Sequence, residues 1–155
     1  MKKRLAIMFR RLSVFEAMVG KRMQAEAYKR ASDVFFAYDE STLMELLHRN
    51  GLTEIDGIGN VIASLAYQVR DTGRMSILED FEHKIPVNLE DMLSMRGIGP
   101  KTIYKLYKSL DVKCKDDLKR FNGRLPKKVE GISSKKEKAI FEQIGYREPE
   151  QAKLF

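Results

Sequence analysis

Gly97, Ile98 and Gly99, followed by Pro100 and then by Lys101, Lys105 and Lys108, are residues whose types and spacing could do chemistry. That chemistry is capture of a phosphate. Glycines let an anion approach the backbone, and the N–H groups of the turn and of the helix that follows it point at the anion. Lys101, Lys105 and Lys108 recur at i, i+4 and i+7, so they share one helix face, and Arg96 supplies charge before the turn. Thr102 lies in the same first turn. Pro100 suits that turn because its missing N–H costs nothing there. Ile98 plugs into a core, while Gly97 and Gly99 are both expected in backbone conformations closed to residues with a Cβ. Such a site reads backbone shape and has no base specificity.

A turn of this kind needs helices to position it, and the chain repeats the arrangement. "EIDGIGNVIASL" at 54–65 and "SMRGIGPKTIYKL" at 94–106 share an apolar residue, one spacer, then Gly-Ile-Gly. A third, worn copy is "KVEGISSKKEKAI" at 128–140, where Ser133, Lys135 and Lys136 follow the single Gly131. Each copy is expected to be a helix, a glycine hairpin and a second helix. Apolar residues at helical spacing predict helices over 4–19 and 23–38 as well. "TLME" at 42–45 has capping-box spacing and opens a helix that Gly51 closes near Asn50. Further short helices are expected at 60–71, 75–82, 88–94, 101–110, 115–121 and 134–143. The fold class is all-α, in compact helical pairs.

The charge is unevenly placed. Residues 1–30 carry nine Lys/Arg against two acids, residues 31–100 five against twelve, and residues 101–140 thirteen against five. Two basic blocks around an acidic middle point to a polyanionic partner held at chosen faces. The longest apolar run, Leu5 to Phe9, is far shorter than the roughly 20 residues of a membrane span, and no membrane partner is expected. The single cysteine, Cys114, forms no internal disulfide and no thiolate metal site, so the simplest reading is an intracellular protein of the cytoplasm or nucleoid. His48 and His83 stand apart with no metal-ligand cluster nearby, and the eight methionines read as adaptable core filler.

At these residues the chain resembles the N-terminal lyase-like and DNA-gripping region of family X DNA polymerases, the DNA polymerase beta relatives, with helix-hairpin-helix motifs at each glycine turn. "AYKRAS" at 27–32, bearing Tyr28, Lys29 and Arg30, is similar to the family's tyrosine-bearing helix near a DNA 5′ end. "GLTEIDGIGNVIA", with Gly57 and Gly59, followed by "DTGRM", resembles its first hairpin, and "MLSMRGIGPKTIYKLY" its second. The resemblance runs from about residue 5 to residue 143. It implies a lyase-like helical unit over 1–84, a unit with the second and third hairpins over 85–146, and a tail over 147–155. It also implies a sodium or potassium ion on the carbonyls of Leu93, Met95 and Ile98, and no other cofactor. Tyr28 keeps two readings, a core aromatic or a ring that meets a DNA end.

The departures are equally specific. By alignment on Gly57, Gly59 and Ala63, the family's Schiff-base lysine falls on Leu65, which is no nucleophile. A second lysine falls on Val61, and upstream basic residues fall on Met23 and Gln24. Glu54 and Asp56 put carboxylates on the first hairpin, which would repel phosphate. Asp116 and Asp117 sit among lysines, and no clustered carboxylates of a polymerase palm are present. The expected function is a non-sequence-specific DNA-binding protein near nicks, gaps or ends, accessory to repair or replication. Its alternatives are a 5′-deoxyribose phosphate lyase using a displaced lysine such as Lys21 or Lys29, a piece of a longer polymerase, and a protein-interaction scaffold. The ending "QAKLF" resembles a bacterial sliding-clamp peptide through Gln151, Leu154 and Phe155; the blander reading, a chance ending or a fold-back onto the domain, is the stronger one for so short a match.

Overall fold

A computed structural model describes residues 1–145 of the chain; the pentapeptide ending and its clamp reading lie outside the described residues. Among the described residues every regular element is helical, and two compact units separate after Lys84. No described helix is long and apolar enough to cross a membrane.

The first unit, Met1–Lys84, is built on α1 (Lys2–Met18) and α2 (Arg22–Ala37). Lys2 Nζ donates to the Tyr38 carbonyl at 3.2 Å and Ser32 Oγ to the Ala6 carbonyl at 2.6 Å, so the two helices run antiparallel. Leu5, Phe9, Leu12 and Phe15 recur at helical spacing and are buried between them and the later helices. Burial of each such side chain stabilises by roughly 1.5–3 kcal/mol. Phe9 meets Phe35 at 5.4 Å and Tyr28 at 6.0 Å, and Phe15 stacks on Phe81 of α5 (Ser76–Lys84) at 5.5 Å.

The start of α3 (Glu40–His48) corrects the capping-box expectation. Asp39 is the N-cap, and its carboxylate accepts the Thr42 N–H at 2.9 Å, so Thr42 is the third helical residue and not the cap. At the other end Asn50, with φ +57°, takes the left-handed position expected of Gly51. Gly51 donates its N–H to the Leu46 carbonyl at 2.8 Å one residue later. A 3-10 turn (Leu52–Glu54) then leads to the first glycine hairpin and α4 (Asn60–Thr72), which Gly73 ends at φ +74°.

The second unit begins at Ile85. The short helices expected at 88–94 and 115–121 are 3-10 helices, Val87–Ser94 and Lys115–Phe121. Both are short, and in short segments i→i+3 bonds replace a longer α-helical ladder. Leu89 and Met92 pack with Ile103 and Leu106 of α6 (Pro100–Leu110), and Leu118, Ile140 and Phe141 complete the core, the last two from α7 (Ser134–Gln143). The third copy departs from helix-hairpin-helix in one respect. Lys115–Phe121 ends at a left-handed Asn122, and residues 123–128 run without helix before the hairpin at Val129.

Candidate nucleic-acid interface

The three hairpins share one backbone. Gly57, Gly97 and Gly131 have φ of +90°, +88° and +88°, the left-handed region in which a Cβ is strained. Ile58, Ile98 and Ile132, the next residues, are all buried and anchor the turn in the core. The following residue starts the helix in each case, and its carbonyl accepts the first i→i−4 bond: Ala63 N–H to Gly59, Ile103 N–H to Gly99, Glu137 N–H to Ser133, at 3.0, 3.0 and 2.9 Å.

Gly59 and Gly99 correct one expectation. Their φ angles are −88° and −104° with ψ near 180°, an extended conformation open to any residue, and Ser133 occupies the same position in the third hairpin. A Cβ at Gly97, Gly99 or Gly59 would meet nothing within 4 Å. The glycine at 99 therefore leaves open space in front of the α6 N-terminus and is not required by the backbone. No side chain caps α4 or α6, whereas Ser133 Oγ accepts the Lys136 N–H at 3.2 Å and so takes up an end donor of α7.

Charge separates the three. The residue just before the left-handed glycine is Asp56 in the first hairpin, Arg96 in the second and Glu130 in the third. Glu54 is held by Arg49 through two side-chain bonds, one of 3.2 Å, so its charge is partly neutralised; this ion pair raises the Arg49 pKa. Asp56 is exposed, and the first turn of α4 carries Asn60 and Val61, neither of them cationic. The first hairpin has the backbone of a phosphate cradle without cations.

Around the second hairpin Arg96, Lys101 and Lys108 are exposed. Lys108 Nζ lies 5.7 Å from the ring centroids of both Tyr104 and Tyr107. Lys105 differs from expectation: its Nζ is 3.2 Å from Glu130 Oε2 and its side chain is only 27% exposed. Thr102 Oγ1 would stand 3.2 Å from a Cβ at Gly131, so the third hairpin packs tightly on the start of α6. Lys135 and Lys136 are exposed, and Lys136 Nζ reaches the Gly131 carbonyl at 3.5 Å.

Two residues that the repeat pattern did not single out shape this site, Glu130 and Gln143. Gln143 accepts the Arg96 N–H and returns a bond to the Arg96 carbonyl, at 2.7 and 2.8 Å. Glu130 was visible inside the third motif, at the turn position of Arg96; Gln143 had no local signal.

In the first unit Tyr28 is 7% exposed and its ring packs against Phe9 in the core. Burial first, then the neighbouring Glu16 carboxylate, raises its hydroxyl pKa. Lys21, Lys29, Arg30, Met23, Gln24 and Val61 are exposed and Leu65 is half-buried. Among the described residues no group of three or more His, Cys, Asp or Glu could hold a metal ion, and His48 and His83 lie in the last turns of α3 and α5.

Geometry and sequence agree on the class. Residues 89–145, which span the second and third hairpins, match the family of SAM-like helix-hairpin-helix tandems. Over 125 residues, 79% of this chain, the sequence is 29% identical to the DNA polymerase/3'-5' exonuclease PolX of Bacillus subtilis (strain 168). The match spans 21% of that relative's length.

Proposed function

We propose that this chain is a non-sequence-specific DNA-binding module that grips backbone phosphates of duplex DNA near nicks, gaps or ends, in repair or replication. The observation that carries the reading is the second hairpin, where an uncapped helix start stands in open space beside Arg96 and Lys101, with Lys108 two turns further along α6. Donors and charge converge there on a shape-reading phosphate site. The tandem match over 89–145 and the polymerase named in the relative support it. The carbonyls of Leu93, Met95 and Ile98 are neutral oxygen donors around this turn, a ligand type that suits a hard cation such as sodium or potassium; bound there, it would brace the turn. Salt-titrated binding to nicked, gapped, single-stranded and intact DNA tests the proposal. Binding insensitive to salt on all four would overturn it in favour of a protein scaffold.

A second reading, in which the same grip serves a longer polymerase of the PolX kind, is favoured by the 29% identity. Lyase chemistry has weaker support, because the half-buried Leu65 stands where the family's nucleophile falls. Borohydride trapping on an abasic-site substrate separates these: a covalent adduct would assign the lyase.

A further inference from the structure

We infer that the outer groove between α1 and α2 is a second nucleic-acid site, which takes an unpaired nucleobase against Phe36 and the flanking phosphates on Lys3 and Arg10. Lys3, Ile7 and Arg10 lie at i, i+4 and i+7 on α1, and Asp33 and Phe36 face them from α2 across a cavity of about 370 Å³. The Ser32 bond to the Ala6 carbonyl sets the level of the two antiparallel helices. Counting one turn along each from that bond places Phe36 beside Lys3, and Asp33 beside Ile7.

The groove combines two features that a solvated face does not need together. Phe36 is 63% and Ile7 61% exposed, so a flat ring and an aliphatic floor are left in water. Lys3 and Arg10 are exposed above and below them, and among the described residues neither has a carboxylate partner. A base has an apolar face for the ring and carries a phosphate on either side, so it complements both. Asp33, at the middle level, excludes phosphate from the centre and confines it to the two ends. A base stacked inside a duplex has both faces covered, which directs the groove to unpaired bases in single strands. This inference rests on the proposed DNA binding, and it adds a separate strand contact within the first unit.

The chain has no tryptophan, so Phe36→Trp places a lone indole at the groove. A labelled oligo(dT) of about eight nucleotides, a length within known single-strand site sizes, is the probe. Its addition should quench the introduced indole. Phe36→Leu, which keeps an apolar surface but removes the stacking plane, should weaken oligo(dT) binding on the order of tenfold. Lys3→Ala with Arg10→Ala should flatten its salt dependence. Duplex binding, which Lys101→Ala should weaken, should be unaffected by all of these changes. Equal oligo(dT) affinity for wild type and Phe36→Leu, or an unquenched indole at saturation, would overturn the inference. So would quenching by an acidic peptide with one aromatic anchor but not by oligo(dT), which would make the groove a protein-docking site. A wild type that binds oligo(dT) here yet ignores duplex DNA would count against the second hairpin and leave the groove assignment standing.

Discussion

Gln143, in the last turn of α7, holds both backbone polar groups of Arg96 with one side-chain amide, accepting the N–H at 2.7 Å and donating to the carbonyl at 2.8 Å. In the first and third hairpins the turn is closed by the chain itself, through Ile58 N–H to Ile55 and Ile132 N–H to Val129, both at 3.1 Å. The second hairpin has an outside latch, and the latch grips the residue that carries the turn's cation.

Gln143→Ala should therefore loosen the second hairpin without removing a charge. Two hydrogen bonds worth roughly 0.5–1.5 kcal/mol each would be lost, and DNA affinity should fall while the slope of log affinity against log salt stays unchanged. Gln143→Glu loses the donor to the Arg96 carbonyl and adds a negative charge beside the phosphate site, so it should bind DNA at least as weakly as Gln143→Ala. Binding isotherms at several salt concentrations read both quantities. A changed slope with unchanged affinity would contradict the latch.

The lysines should not behave alike. Lys101→Ala and Lys108→Ala should each flatten the salt slope by about one phosphate contact. Lys105→Ala should change it less, because Glu130 already holds that ammonium at 3.2 Å. Glu130→Gln then becomes the informative variant. It frees Lys105 and should tighten binding and steepen the slope; a neutral result would mean that Lys105 does not reach the bound DNA.

Much of this was legible along the chain. Ile58, Ile98 and Ile132, each after a left-handed glycine, mark three buried turns, and the strong apolar period of α1, α2, α4, α6 and α7 places their ends within about two residues. The caps were less legible, because Asn50, Asp111 and Asn122 take left-handed positions that the pattern reserves for glycine, at φ +57°, +55° and +55°. The Gln143 latch was not legible at all. It joins residues 47 apart, glutamine has no periodic signature, and the contact exists only once α7 folds back on the hairpin. Tyr28 kept two readings along the chain, and its helical spacing from Ala31 and Phe35 was the signal of the core in which its ring is buried.

Glu16 should make the first unit more stable in mild acid than in base. It is 3% exposed, its Oε2 has no hydrogen-bond partner, and burial holds its carboxyl pKa above the ordinary value, with Lys21 pulling it back. A carboxyl whose folded pKa is raised binds its proton more tightly when folded. Stability is thus fullest below the unfolded value near 4.5 and falls as pH rises through the raised folded value. Glu16→Gln removes the titration. Its melting temperature should exceed that of the wild type at pH 8 and approach it near pH 4, as read by circular dichroism. Parallel curves for the two proteins would show that the folded carboxyl is not perturbed.

Gly97 and Gly99 should fail for different reasons. Gly97 sits at φ +88°, so Gly97→Ala should cost roughly 1–2 kcal/mol of backbone strain and lower both the melting temperature and DNA affinity. Gly99 is extended at φ −104° and a Cβ there touches nothing within 4 Å, so Gly99→Ala should fold as well as the wild type. What it should lose is binding, because the methyl enters the space through which a phosphate reaches the Lys101 and Thr102 amides. Gly99→Ser sharpens the comparison. It reproduces the third hairpin's Ser133, whose hydroxyl accepts an N–H of its own helix, and should stabilise α6 by about 1 kcal/mol while competing with phosphate for the same donors. Thermal melting and duplex-binding titrations on the three variants check this. If Gly99→Ala and Gly99→Ser bind DNA as tightly as the wild type, the open space before α6 is not where the phosphate enters.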